Sequence, residues 1–195
     1  MLPLMLRVLV IDESRSRAAE ICAGLALAGH QVAAVLSDVV NLTAQIESIR
    51  PDVILIETDS PSRDTLENLA VMNSSMPRPV IIFAQEGDAT TIRAAVKAGV
   101  AAYVVDGLDA ARLKPVIDVA VASFEEHQAV RAELATATKK LSERKVIERA
   151  KGLLMKSRGL DEAAAHAALR KLAMERAKPM AQVAQDLIEM ASLLL

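Results

Sequence analysis

With 195 residues, of which 52% are hydrophobic, the chain is long enough for one or two domains with an apolar core. Cys22 is its single cysteine, which excludes an intrachain disulfide and favours a reducing cytoplasm. The sequence has no signal-peptide pattern and no run of about 18 apolar residues. We therefore expect a cytoplasmic protein that does not cross a membrane.

The net charge of −2 is unevenly distributed along the chain. Residues 1–126 carry 10 Lys/Arg and 17 Asp/Glu, a net of −7, whereas residues 127–195 carry 13 Lys/Arg and 8 Asp/Glu, a net of +5. A basic C-terminal part indicates a polyanionic partner such as nucleic acid. The alternative is that both surfaces are merely solvated and differ by chance.

The first 120 residues alternate apolar runs with helical patterns, which predicts five βα units. The runs are 6–11, 31–36, 53–56, 80–83 and 102–105, and helical patterns cover about 14–28, 40–50, 64–73, 88–98 and 109 onward. Strands that are apolar throughout are typical of a parallel sheet covered on both faces. We predict a doubly wound, flavodoxin-like five-stranded parallel sheet as a first domain over residues 1–121.

The polar residues that follow these strands resemble the phosphorylation site of the receiver domains of response regulators. The resemblance implies an acidic pair at Asp12 and Glu13, a phosphoacceptor position at Glu57, a hydroxyl position at Ala84 and a lysine position at Asp106. The last three depart from the family pattern. A glutamate is one methylene longer than aspartate, alanine has no hydroxyl, and Asp106 would repel a phosphoryl group.

These departures predict a pseudo-receiver that is not phosphorylated at Glu57, whose longer carboxylate would instead mimic a permanently charged state. Asp59 is a second candidate acceptor. For Asp12 and Glu13 we favour strand-end polarity and helix capping over a bound metal. The sequence shows no nucleophile–base pair, phosphate-cradling glycine loop or metal-ligand spacing, so we predict no enzymatic activity and no cofactor.

A long helix is predicted to leave this domain, because no glycine occurs between Leu113 and Gly152. Residues stepping by four and three along it form a weak heptad seam, which predicts a coiled-coil linker over 122–145 and a homodimer. The seam residues are Val116, Ala120, His127, Val130, Leu134 and Leu141. The alternative is a helix that packs against its own domain.

Helix-end signals divide residues 146–195 into three helical segments. Gly159 is suited to a helix C-terminus, Asp161 to the following N-cap, and Pro179 to the first turn of a third helix. The stretch IERAKGLLMKSRGLDEAAAHAALRKLAME resembles the ANTAR module of AmiR/NasT-type antiterminators. The resemblance implies a three-helix bundle that binds paired RNA stem-loops in a leader transcript and disfavours a terminator hairpin.

Residues 128–195 contain no Phe, Tyr or Trp, so RNA binding would depend on phosphate contacts, arginine planes and shape instead of base stacking. The candidate RNA-binding residues are Lys151, Gly152, Lys156, Arg158, Arg170, Lys171, Arg176 and Lys178. Gly152 costs about 1 kcal/mol relative to alanine inside a helix. Close approach of RNA or of a neighbouring helix would explain why a glycine is present at this position despite the cost.

Further resemblance, in the segments 60–67 and 87–120, is to the nitrate-regulatory branch of the AmiR/NasT family. It implies control by a nitrate/nitrite-sensor protein that sequesters the antiterminator until ligand arrives. One alternative is a phosphorylation-dependent response regulator acting on DNA or through protein contacts. Labelling by acetyl phosphate at Asp59 or Glu57 would favour that alternative. Another is a protein-interaction scaffold, which would bind no hairpin RNA.

Overall fold

The computed structural model describes residues 5–193, so the outermost residues of the predicted domains, 1–4 and 194–195, lie outside it. Within these described residues, five strands alternate with five helices, and two further helices follow. The strands are β1 (Arg7–Ile11), β2 (Gln31–Leu36), β3 (Val53–Thr58), β4 (Val80–Ala84) and β5 (Ala102–Val105). The helices are α1 (Arg15–Leu27), α2 (Leu42–Ile49), α3 (Arg63–Ser75), α4 (Ala89–Lys97), α5 (Ala110–Arg158), α6 (Glu162–Glu175) and α7 (Met180–Leu193).

The strands form one parallel sheet in the order β2-β1-β3-β4-β5. Alternate residues of each strand face opposite sides, which separates the core into two clusters. On one face Leu9 and Ile54 pack with Leu69 of α3, and on the other Val10 and Phe83 pack with residues of α1 and the start of α5. The predicted doubly wound sheet is therefore confirmed.

The chain divides into two compact units, one ending at Gln128 and the other beginning at Ala129. In the second unit, the end of α5 packs with α6 and α7. Its main apolar cluster is small, with the buried members Ala150, Leu154, Ala165, Leu169, Ala184 and Ile188. No helix within the described residues is both long enough and apolar enough to cross a membrane.

The helix-end signals in the second unit act as the sequence indicates. Gly159 has a φ of 65°, in the left-handed region that a glycine adopts without strain, just after α5 ends. The side chain of Asp161 accepts a hydrogen bond from the backbone N–H of Ala164, and so caps α6. These two residues together fix where the chain turns from α5 into α6.

Candidate functional site

Asp12 lies at the carboxyl edge of the sheet, directly after β1, and is buried. Its Oδ1 accepts hydrogen bonds from the backbone N–H of Ser14 at 2.7 Å and from Nη2 of Arg17 at 3.2 Å. Glu13, the other member of the predicted acidic pair, is exposed. No cluster of three potential metal-ligating His, Cys, Asp or Glu side chains occurs within residues 5–193.

Arg17, in the first turn of α1, is the cation of this pocket. Its guanidinium pairs with Asp12 at 3.2 Å and with Asp59 at 3.4 Å, and these contacts raise its pKa. Sequence reasoning missed Arg17, although it belongs to the Ser-Arg-Ser-Arg segment immediately after the acidic pair. A positive charge of the protein itself therefore lies between Asp12 and Asp59 at this edge of the sheet.

Glu57 lies inside β3, because this strand extends to Thr58 instead of ending at Ile56 as predicted. The side chain is buried at 4% exposure, and its Oε2 has no hydrogen-bond partner. Burial raises the pKa of Glu57 to about 7, an increase that the charge of Arg17 partly opposes and that of Asp12 reinforces. The carboxyl therefore changes its protonation state around neutral pH. It is therefore a poor mimic of a permanent charge.

The remaining receiver positions supply neither a hydroxyl nor a cation. Ala84 ends β4 and is fully buried, so its methyl group fills the place of a hydroxyl. Asp106 follows β5, is exposed, and has a φ of 72°. Asp59 is the first residue after β3, and its side chain is 84% exposed. Its carboxylate is therefore open to solvent.

The predicted RNA-binding residues of the second unit share exposure to solvent, with one exception. Gly152, Lys156, Arg158, Arg170, Lys171, Arg176 and Lys178 are exposed. Two of the lysines have acidic neighbours: Lys171 lies 3.9 Å from Glu175, and Lys178 lies 3.2 Å from Asp186. A surface with a net positive charge is thus presented to solvent.

Lys151 is the exception, because only 6% of it is exposed. Its Nζ donates to Glu162 at 2.7 Å and to Glu148 at 2.9 Å, and these two hydrogen bonds raise the pKa of the lysine. Glu162 begins α6, so this ammonium ties α5 to the start of α6. Lys151 therefore joins two helices in this structure, and its charge is already matched by two carboxylates.

The predicted dimer seam falls into two parts. Ala120 is fully buried and Val116 half-buried, both in the core of the first unit, as the alternative of self-packing indicated. His127 is exposed, as are the aliphatic seam residues further along α5. Val130 is 53%, Leu134 65% and Leu141 57% exposed. Only this second part of the seam is available to another chain.

Comparison with known proteins gives one family match. The model of the ANTAR domain matches residues 135–188. The transcriptional regulatory protein PdtaR of Mycobacterium tuberculosis H37Rv is 28% identical over 183 residues, which are 94% of this chain and 89% of that protein. The nitrate regulatory protein of Klebsiella oxytoca is 40% identical over 68 residues, 35% of this chain and 17% of that protein.

Solved structures share the fold of the first unit. A signal receiver domain of a modulated diguanylate cyclase from Desulfovibrio desulfuricans G20 matches with a TM-score of 0.55 and 21% identity, over 63% of this chain and 98% of that one. A DNA-binding response regulator of the LuxR family from Staphylococcus aureus matches with a TM-score of 0.52 and 22% identity, over 60% of this chain and 99% of that one.

The fold and the family match together define the domain architecture: a receiver-fold domain precedes an ANTAR domain. The chain contains an ANTAR domain, and its predicted resemblance to the AmiR/NasT type is confirmed.

Proposed function

We propose that this protein is an RNA-binding transcription antiterminator that acts as a homodimer on paired stem-loops of a leader transcript. It works by binding, without catalysis, in the cytoplasm where transcripts are made. The observation that carries the proposal is the ANTAR domain at residues 135–188, together with the exposed cations of the same unit. The relative named a nitrate regulatory protein favours a leader transcript of nitrate or nitrite assimilation.

The second part of the seam supports a dimer. Between Glu125 and Leu141, α5 has hardly any contact with the rest of its own chain, and it exposes three aliphatic side chains on one face. An isolated helix of this length is marginally stable in water, so a partner helix would stabilise it. Two chains joined here bring two ANTAR domains to one transcript, as paired stem-loops require.

Control by a sensor protein, instead of by phosphorylation, is supported by the receiver pocket. Arg17 already pairs with Asp12 and Asp59, Glu57 is buried, and Ala84 offers no hydroxyl. A phosphoryl group would find neither its usual cation nor its usual donor there. We propose that a nitrate/nitrite-sensor protein sequesters the chain until its ligand arrives.

Replacing Arg170 and Lys171 together with alanine is expected to weaken binding to a two-hairpin leader RNA by about 10-fold or more, because two phosphate contacts are lost. The leader of the operon next to this gene is the appropriate probe, in a gel shift with and without the sensor protein. Arg93→Ala plus Lys97→Ala removes two exposed cations of α4 and provides the matched control. Undiminished binding by the first variant would place the RNA-binding face elsewhere.

Introducing aspartate at Leu134 and Leu141 is expected to separate the dimer without unfolding the monomer, since both side chains are exposed within one chain. Affinity for the two-hairpin RNA should then fall by about 100-fold, while affinity for a single hairpin should stay the same, because only the bivalent contribution is removed. Sedimentation velocity and gel shifts measure the two effects. A variant that remains dimeric would exclude this seam.

A further inference from the structure

One exposed face of α5 carries a row of residues that sequence analysis did not recognise as a group. Lys145, Arg149, Gly152 and Lys156 recur at spacings of four, three and four residues, which aligns them along one side of a helix over about 17 Å. All four are exposed. We call them the α5 strip.

The α5 strip faces away from the small core of the second unit. In the same stretch of α5, Ala150 and Leu154 are buried against α6 and α7, and Val146, Ile147 and Leu153 pack partly against that cluster. At about 100° per residue, Ile147, Ala150 and Leu154 lie on the side of the helix opposite the strip, and Val146 and Leu153 lie between the two sides. Nothing that the second unit buries therefore explains the residue types of the strip.

The cations of the strip have no acidic partners. Within residues 5–193, no carboxylate lies within ion-pair distance of Lys145, Arg149 or Lys156. Lys151 on the neighbouring side of α5 has two. Three unmatched positive charges on one helical face make a site for a polyanion.

Gly152, in the middle of the strip, has no packing reason within its own chain. A Cβ added there would meet no atom within 4 Å, whereas one added at Gly99 would collide with the side chain of Asn73. No helix packed against this position within the described part of its own chain therefore requires the glycine. The absence of a side chain leaves the helix backbone open to whatever the flanking cations bind.

We infer that the α5 strip binds the sugar–phosphate backbone of the RNA, with Gly152 at the point of closest approach. The inference rests on the proposed RNA-binding function and adds Lys145 and Arg149 to the site. RNA is favoured over a second copy of this chain as the occupant, because two strips of like charge repel each other. Close approach of a helix backbone to phosphates also shortens the distance over which the cations act.

The charge test replaces Lys145 and Arg149 with glutamine. With the full-length protein and the two-hairpin leader RNA, affinity should fall by about 10-fold or more, and the slope of log affinity against log salt should decrease in magnitude by about 1.5. Lys139→Gln plus Lys140→Gln removes two cations from other faces of α5 and should leave the slope unchanged. Equal slopes for both double variants would overturn the inference.

The shape test replaces Gly152 with leucine, and with alanine in case leucine alters the fold. Both should raise the melting temperature or leave it unchanged, because the position is open and both residues favour helix more than glycine does. RNA affinity should nevertheless fall by about 10-fold for leucine and less for alanine. Ala132→Leu, at an exposed position of α5 outside the strip, should bind RNA as the wild type does.

The outcomes separate this inference from the proposed function. A wild-type protein that binds no hairpin RNA would overturn both. Wild-type binding that is undiminished in the glycine and charge variants would overturn the strip alone. Loss of the RNA-free dimer in Gly152→Leu, measured by sedimentation, would show that a second copy covers the strip and would also overturn it. Weakened RNA binding by an intact dimer is the supporting result.

Discussion

Replacing Glu57 with glutamine is expected to stabilise the first unit by about 3 kcal/mol at pH 8 and hardly at all at pH 4.5. The pKa of this buried carboxyl is raised from 4.5 to about 7, and every tenfold change in proton affinity corresponds to about 1.4 kcal/mol. Since the folded state holds the proton more tightly, the wild type loses stability as pH rises from 4.5 through 7. Glutamine does not titrate, and its amide occupies nearly the same volume as the carboxyl that it replaces.

Denaturant unfolding of both proteins at several pH values measures this difference. Tyr103 is the only tyrosine and the chain has no tryptophan, so tyrosine fluorescence reports on the first unit alone. Glu47→Gln, at an exposed glutamate of α2, is the control, because an exposed carboxyl has no burial penalty to remove. A stability difference between wild type and Glu57→Gln that stays constant with pH would contradict the raised pKa.

Replacing Leu169 with alanine is expected to destabilise the second unit by about 2–5 kcal/mol and to abolish RNA binding. Leu169 is fully buried in a core whose other buried members include three alanines, so few neighbours can collapse into the space it leaves. In a unit this small, such a loss is a large part of the total stability. The ANTAR helices should then unfold well before the sheet.

The two units can be followed separately in this variant. The second unit contains no aromatic residue, so its unfolding should lower the helical circular dichroism signal while the fluorescence of Tyr103 stays unchanged. Met174→Ala is the control in the same helix: Met174 is 73% exposed, and its truncation should change stability by less than about 0.5 kcal/mol. If Leu169→Ala unfolded in one concerted transition at the same denaturant concentration as the wild type, the assignment of Leu169 to the core of the second unit would be contradicted.

The sequence predicts the sheet well because its strands are continuous apolar runs, and each run is determined by local pattern. Val80–Ala84 is buried throughout, as a central parallel strand requires. Helix ends at Gly159 and Asp161 are equally local, since a left-handed residue and a capping side chain act within one turn. The ANTAR resemblance rests on a contiguous motif of the same kind.

The parts that sequence reasoning missed depend on contacts between distant segments. The pairing of Arg17 with Asp59 joins residues 42 positions apart, and only the folded sheet brings them together. From the sequence, Lys151 is predicted to be one more exposed cation. In the structure it pairs with Glu162 of α6. The heptad pattern of α5 likewise identifies an apolar face without identifying what covers it. The first unit covers Ala120, whereas the described chain leaves Leu134 exposed.

The most direct test of the RNA-binding account measures stoichiometry and affinity together. Purified full-length protein is titrated into the two-hairpin leader RNA and into each hairpin alone, with mass photometry to count chains per RNA. We predict two chains on the two-hairpin RNA and an affinity about 100-fold above that for either single hairpin. One chain bound per RNA with equal affinity for all three probes, or no binding to any, would contradict the account.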